Sequence, residues 1–105
     1  MSKPRKTHGS VRQVFKREFA DPEFVMMFQE ERARSELALA VSNARLRAGL
    51  TQAELASKVE TSQSVIARLE SGTDRRMPTL PFLARIAAAT GRRLVVGFDK
   101  ARRAG

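Results

Sequence analysis

Four residues at helical intervals carry the groups in this chain that are best suited to recognising another molecule. They supply a carboxamide, a hydroxyl, a methyl and a guanidinium, on Gln63, Ser64, Ala67 and Arg68. Positions i, i+1, i+4 and i+5 share one side of a helix, so these groups would point the same way. In the major groove Gln pairs with adenine, Arg with guanine, and a small apolar group meets the thymine methyl. We therefore favour a face that recognises DNA bases over an ordinary solvated helix face.

A short capped helix precedes these residues. Thr51 and Glu54 have the spacing of a capping box, in which each side chain bonds the other residue's amide. Leu55, Ala56 and Val59 recur on one face of the same helix, which predicts that they point inward.

A second helix is predicted to begin at Thr61 or Ser62, whose hydroxyls can cap free amides. Ile66 and Leu69 supply its inward face at i and i+3. Two capped helices joined by a tight turn are typical of a helix-turn-helix, whose second helix enters the major groove of duplex DNA.

The region from Arg45 to Gly91 resembles the lambda-repressor-like domain of the XRE regulators. The motifs G-L-T-Q-A-E-L-A at 49–56 and S-Q-S-V-I-A-R-L-E-S-G at 62–72 carry the resemblance. It implies a phosphate contact for Gln52 and an internal ion pair between Arg45 and Glu70. It also implies groove contacts for part of the second helix, and the full DNA-binding set that we predict is Gln52, Ser62, Gln63, Ser64, Ala67, Arg68, Arg75 and Arg76.

One residue departs from the family pattern. Glu60 stands at the turn position where the family usually has Gly in a left-handed conformation. A residue with a Cβ is strained there by about 1 to 2 kcal/mol, so the sequence predicts a strained or altered turn.

Composition limits the other possibilities. A chain of 105 residues that is 42% apolar suits one small domain with appendages. It has no Cys, and we interpret its single His8 as non-functional, so we expect no metal, no cofactor and no enzyme. It also lacks an apolar run of about 18 residues and a secretory signal, so we expect a soluble, cytoplasmic protein with no membrane partner.

The net charge of +9 lies mainly at the two ends. Residues 1–20 hold six Lys or Arg against one acid, and residues 92–105 hold five against one. Such tails either add salt-sensitive affinity for DNA or only keep the protein soluble, and the sequence does not separate these alternatives. The same holds for Arg75 and Arg76, which either contact phosphates or are simply solvated.

Helical patterns also precede the helix-turn-helix. Ser10 and Gln13 have capping-box spacing ahead of a short amphipathic stretch. Asp21 then offers an N-cap before Pro22, and a helix is predicted from Pro22 to Ala48 with a break near residues 33–35. Its second half would be the first helix of the DNA-binding domain.

The same N-terminal part is rich in aromatic residues, which either bind a partner or form a local core. The D-P-E-F segment, an acidic helix, the helix-turn-helix and a strand after T-G-R-R together resemble HigA-type antitoxins. That resemblance implies a RelE- or HigB-like, mRNA-cleaving toxin as partner. The residues that we assign to toxin binding are Val14, Phe15, Phe19, Phe24 and Phe28.

The C-terminal third predicts one more helix and a strand. Thr79 would cap a helix that Gly91 closes, with Leu80, Leu83, Ile86 and Ala87 facing inward. Residues 94–98 alternate like a strand, which must pair either with a second copy or with the sheet of a toxin. Leu94, Val96 and Phe98 form its predicted dimer face.

The predicted fold is all-α, a lambda-repressor-like helix-turn-helix domain with an N-terminal helical extension and a single C-terminal strand. Residues 1–34 are predicted to form a basic N-terminal tail and the amphipathic helical extension, 35–91 the DNA-binding domain, and 92–105 the strand and a basic tail. The predicted function is a homodimeric repressor on an inverted-repeat operator, which also acts as the antitoxin and regulates its own operon. The alternative is a stand-alone XRE-type regulator.

Overall fold

The structure is a computed structural model, and it describes residues 21–100. Four helices follow one another in this range: α1 (Pro22–Arg47), α2 (Gln52–Lys58), α3 (Gln63–Ser71) and α4 (Leu80–Ala89). Residues Arg32–Gly97 form one compact unit, and the described residues on either side belong to a second. The predicted all-α helix-turn-helix architecture is confirmed. None of the helices within residues 21–100 is both long and apolar enough to cross a membrane.

Helix α1 begins where the sequence predicts it. The Asp21 carboxylate accepts from the amide of Glu23 at 3.0 Å, and Pro22 occupies the first helical position. The predicted break at residues 33–35 was wrong, because the helix is continuous there. That stretch contains no Gly or Pro, and the Arg32 and Glu36 side chains bridge it at 2.8 Å with favourable i,i+4 spacing.

The capping box of α2 is confirmed. The Thr51 hydroxyl accepts from the amide of Glu54 at 3.0 Å, and the Glu54 carboxylate accepts from the amide of Thr51 at 2.8 Å. Helix α3 has the simpler cap, in which the Ser62 hydroxyl accepts from the amide of Val65 at 3.4 Å. Local hydrogen bonds from the capping side chains therefore set where both helices begin.

The turn between α2 and α3 contains a left-handed Glu60, as the sequence predicts, with a φ of 61°. The amide of the next residue, Thr61, bonds the carbonyl of Ala56 at 2.9 Å and fixes the turn. The strain of a Cβ in this conformation is therefore present in the folded protein.

Replacing Glu60 by Gly should raise the free energy of unfolding by about 1 kcal/mol, since relief of the left-handed strain exceeds the entropy that Gly adds to the unfolded chain. Urea denaturation measures the difference. Glu60→Ala is the matched control, because it removes the carboxylate and keeps the Cβ, so it should not gain this stability. Equal gains in both variants would assign the effect to charge and refute the backbone explanation.

The core of the compact unit takes residues from all four helices. Leu55 and Ile66 are completely buried, and Ala56, which is 2% exposed, lets α2 and α3 approach closely. Full burial of a Leu or Ile side chain contributes about 1.5 to 3 kcal/mol. The buried cluster confirms the inward faces predicted for α2 and α3, and it comprises Val41, Leu55, Ala56, Val59, Ile66 and Ile86.

Helix α4 starts at the predicted cap, and of its predicted inward residues Leu83 and Ile86 lie at the core whereas Leu80 does not. The Thr79 hydroxyl accepts from the amide of Phe82 at 3.2 Å. Leu80, predicted to face inward, is 58% exposed, whereas Phe82 packs against the core. The prediction for Leu80 was wrong because the inward stripe is centred on Phe82 and Ile86, and Leu80 lies about 200° around the helix from Phe82.

The strand predicted at residues 94–98 is absent, since no strand occurs between residues 21 and 100. A strand needs a neighbouring strand to satisfy its backbone groups, and the described chain supplies none. Leu94 is half-buried, while Val96 and Phe98 are exposed by 65% and 105%. The prediction of a strand was therefore wrong for the single chain.

Candidate nucleic-acid interface

Helix α3 presents the four residues singled out in the sequence on its outer side. Gln63, Ser64 and Arg68 are exposed and Ala67 is half-buried, and together we call them the reading face. Ile66, on the opposite side, has no exposed surface and anchors the helix in the core. The reading face is thus held by a fixed helix and is open to solvent, as a base-recognising surface must be.

Ser62 and Ser64 form a hydroxyl pair at the start of α3. Their oxygens are 3.1 Å apart, and the Ser62 oxygen also accepts from the amide of Val65. Each hydroxyl carries one donor and two acceptor positions. Ser62 is therefore first of all a helix cap, and its DNA contact stays a prediction.

A buried ion pair fixes α3 against α1. Arg45 donates to both carboxylate oxygens of Glu70, at 2.7 and 2.9 Å, and also to the carbonyl of Leu50 at 2.9 Å. The two charged side chains are only 12% and 6% exposed. Bidentate geometry of this kind combines charge with a fixed direction, so it sets the position of the last turn of α3.

The pKa values reflect this pairing. Burial raises the pKa of Glu70, but the hydrogen bonds from Arg45 and Gln52 and the charge of Arg45 outweigh burial, so the pKa lies below its ordinary 4.5. The hydrogen bond to Glu70 raises the pKa of Arg45 in turn. Both groups therefore stay charged at neutral pH.

Gln52 joins the same network. Gln52 is the first residue of α2, and its side-chain nitrogen Nε2 donates to the Glu70 carboxylate at 3.1 Å. A Gln amide has two donor hydrogens, so this bond leaves one that a phosphate could accept. The structure thus connects Gln52 to the reading helix through Glu70.

The loop after α3 brings a carboxylate to two of the predicted DNA-binding arginines. Asp74 lies 3.8 Å from Nε of Arg68 and 3.4 Å from Nε of Arg76, and it also accepts from the amide of Arg76 at 3.1 Å. The carbonyl of Arg75 accepts from Arg34 at 3.5 Å. Asp74 is absent from the DNA-binding set predicted from the sequence, although an acid just before two arginines was a visible signal.

The residues assigned to toxin binding are described only in part. Val14, Phe15 and Phe19 lie outside the described residues. The rings of Phe24 and Phe28 stack with centroids 6.4 Å apart. Near them on α1, Met26 and Met27 are 64% and 60% exposed.

No metal-binding arrangement is visible in the described range. Residues 21–100 contain no group of three or more His, Asp or Glu side chains that could hold an ion. Ion pairs and side-chain hydrogen bonds in this range include those of α3 and of the loop that follows it.

A comparison with known protein families bears on this surface. A family model described as helix-turn-helix matches residues 41–96, which is 56 of the 105 residues. The matched range includes α2, α3, α4 and the end of α1. No solved structure matches the chain at a significant level.

Proposed function

Because the chain belongs to the XRE-type helix-turn-helix family of DNA-binding transcription regulators, we propose that it is a repressor that binds a specific operator in duplex DNA. The observation that carries this proposal is the reading face, which combines solvent exposure with a helix anchored by Ile66 and by the Arg45–Glu70 pair. Binding of the protein over a promoter would exclude the transcription machinery.

The reading face can supply direct base recognition. Gln63 and Arg68 carry the bidentate donors and acceptors that suit adenine and guanine, at about 1 to 3 kcal/mol of discrimination for each good pair. Ser62, Ser64 and Ala67 add short contacts that do not block entry of α3 into the groove. Gln52, Arg75 and Arg76 would contact phosphates, which fixes the register but not the sequence.

We include a homodimer in the proposal. One short helix recognises only a few base pairs, and a two-fold dimer doubles that number on an inverted repeat whose half-sites lie about 34 to 36 Å apart. The apolar residues after α4 offer a second copy a surface, because Val95 and Val96 are 75% and 65% exposed. The strand prediction failed for one chain, so the dimer rests on this exposed surface and on operator geometry.

The experiment for DNA recognition is selection of duplexes from a random-sequence pool by the full chain. We expect one recurring sequence, arranged as an inverted repeat. Recovery of unrelated sequences after repeated rounds would contradict specific recognition. A recurring but asymmetric single site would contradict the dimer alone.

We further propose that the protein is an antitoxin, and residues 21–31 support this. This stretch contains Asp21, Glu23, Glu30 and Glu31 and no Lys or Arg. The same stretch exposes Met26 and Met27. A RelE- or HigB-like toxin with a basic, RNA-binding surface would fit acids around apolar anchors, since complementary charge steers association and buried anchors supply affinity. The antitoxin would then also repress the operon that encodes the pair.

Met27→Lys should weaken toxin binding by about 30-fold, because it places a charge in an apolar anchor facing a basic protein. If one operon encodes the pair, the candidate toxin is the product of the gene next to the gene for this protein. The measurement is rescue of cells that express this product, together with affinity for the selected duplex. Leu39→Lys is the matched control, on the same helix and 62% exposed. Met27→Lys should lose rescue and keep DNA binding, and Leu39→Lys should keep both.

The stand-alone regulator is the alternative outcome of this experiment. An adjoining gene product that is harmless, or one whose toxicity the full chain does not relieve, would contradict the antitoxin proposal and leave DNA recognition intact. If Met27→Lys rescued cells as efficiently as the unaltered protein, the toxin would have to bind outside residues 21–31.

A further inference from the structure

Asp74, in the loop after α3, lies beside two of the predicted DNA-binding arginines. Asp74 lies 3.8 Å from Arg68, which belongs to the reading face, and 3.4 Å from Arg76. Its side chain is 20% exposed, compared with 48% for Arg68 and 77% for Arg76. A carboxylate repels phosphates, so its position beside these two cations opposes simple attraction to DNA.

Local hydrogen bonds hold the loop close to the reading helix. The Ser71 hydroxyl donates to the carbonyl of Arg68 at 2.7 Å and lies 2.7 Å from the hydroxyl of Thr73. The amide of Arg76 then donates to Asp74 at 3.1 Å. The carboxylate therefore occupies a defined place relative to the residue whose guanidinium it faces.

We propose that Asp74 is a positioning residue that sets the sequence specificity of DNA binding by holding the Arg68 guanidinium toward the base edges and away from phosphates. The inference rests on the proposed function. On the operator the O6 and N7 atoms of a guanine offer Arg68 two hydrogen-bond acceptors, and these bonds replace its 3.8 Å contact with Asp74. On random DNA the best acceptors for Arg68 are phosphates, and the contact with Asp74 opposes that use.

The charge state of Asp74 supports this role. The backbone hydrogen bond from Arg76 is the largest cause that holds the pKa of Asp74 below its ordinary 3.8. The charges of Arg76 and Arg68 lower this pKa further, despite the opposing effect of burial. The carboxylate is therefore ionised throughout the neutral range, so it faces both arginines as a full charge.

Arg68 and Arg76 contribute differently to specificity. Arg76 meets phosphates on any duplex, so releasing it from Asp74 should strengthen binding to the operator and to random DNA equally. Arg68 has a base to bind only on the operator, so releasing it should favour random DNA alone. The ratio of the two affinities therefore depends on Asp74 through Arg68.

Asp74→Asn tests the proposal, because the amide keeps an oxygen for the Arg76 backbone bond and loses only the charge. The probes are the duplex that the full chain selects and a scrambled duplex of the same composition. Affinity for the scrambled duplex should rise about fivefold to tenfold more than affinity for the selected one, the scale of one gained phosphate contact. The salt slope should steepen by about 0.9 more on scrambled DNA than on the selected duplex, since the contribution of Arg76 is common to both.

Two further variants test whether the effect depends on the position of the removed charge and on the presence of Arg68. Asp99→Asn removes the same charge outside the loop and should leave the affinity ratio unchanged. In an Arg68→Ala background, Asp74→Asn should no longer change the ratio. An unchanged ratio in Asp74→Asn, an equal change in Asp99→Asn, or a change that persists without Arg68 would overturn the proposal. Selection that yields no recurring duplex would instead overturn the proposed function itself.

Discussion

Replacing Arg45 by Met should lower the free energy of unfolding by about 3 to 5 kcal/mol, the cost of leaving one charge of a buried pair without its partner. Glu70, 6% exposed, would keep only weaker neutral donors such as Gln52. Urea denaturation of the full chain measures the loss. Since small domains are stable by only about 5 to 15 kcal/mol, this one change should bring the protein near its unfolding threshold.

Arg32→Met is the matched control for that prediction. It breaks the Arg32–Glu36 pair, whose side chains are 56% and 65% exposed. An exposed i,i+4 pair contributes about 0.3 to 0.5 kcal/mol, so this variant should remain close to the unaltered protein. A double variant, Arg45→Met with Glu70→Leu, should recover much of the loss because no buried charge remains. Equal losses from Arg45→Met and Arg32→Met would contradict the importance of burial.

The pH dependence of the Arg45→Met loss has a definite sign. In the unaltered protein the pKa of Glu70 lies below 4.5, so its pairing stabilises the fold above that pH and the contribution disappears as the pH falls through the lowered value. Without Arg45, only the hydrogen bonds from Gln52 and Ser42 oppose burial, so the pKa of Glu70 should be higher than in the unaltered protein, and protonation at acid pH relieves the buried charge. The difference in stability between the two proteins should therefore shrink on acidification. A difference that grows on acidification would contradict this assignment.

Arg68→Ala should weaken binding to the selected operator by about 1 to 3 kcal/mol, which is roughly 5- to 150-fold, and should have little effect on scrambled DNA. The physical reason is that a bidentate pair with guanine exists only on the operator. Titration of labelled duplexes at several salt concentrations measures both affinities. Arg85→Ala is a suitable control, because Arg85 lies over the ring of Phe82 on α4 and outside the reading face. Equal losses on both duplexes would reduce Arg68 to a phosphate contact.

The features that were predictable from the sequence are those decided by neighbouring residues. The capping box of Thr51 and Glu54, the cap at Ser62 and the left-handed Glu60 each depend on a few consecutive positions. Local hydrogen bonds and steric limits act over that range, so spacing alone reveals them. The outward direction of the reading face followed in the same way from helical periodicity.

The features that depend on packing or on distant residues were not predictable in the same way. The pairing of Arg45 with Glu70 spans 25 positions and entered only through family resemblance. Leu80 and Phe82 compete for the inward side of α4, and only contact with the other helices decides between them. A strand at residues 94–98 requires a partner strand, which local alternation cannot supply. Asp74 was missed because Arg68, Arg75 and Arg76 were considered without the acid beside them.

The most direct measurement replaces guanines in the selected operator, one at a time, by 7-deazaguanine, which lacks the N7 acceptor that Arg68 would bind. At one position in each half-site the unaltered protein should lose about tenfold in affinity. At that same position Arg68→Ala should lose nothing further, because the contact is already gone. If the substitution weakens both proteins equally at every guanine, or weakens neither, Arg68 on the outer side of α3 does not read a guanine edge and recognition by the reading face is contradicted.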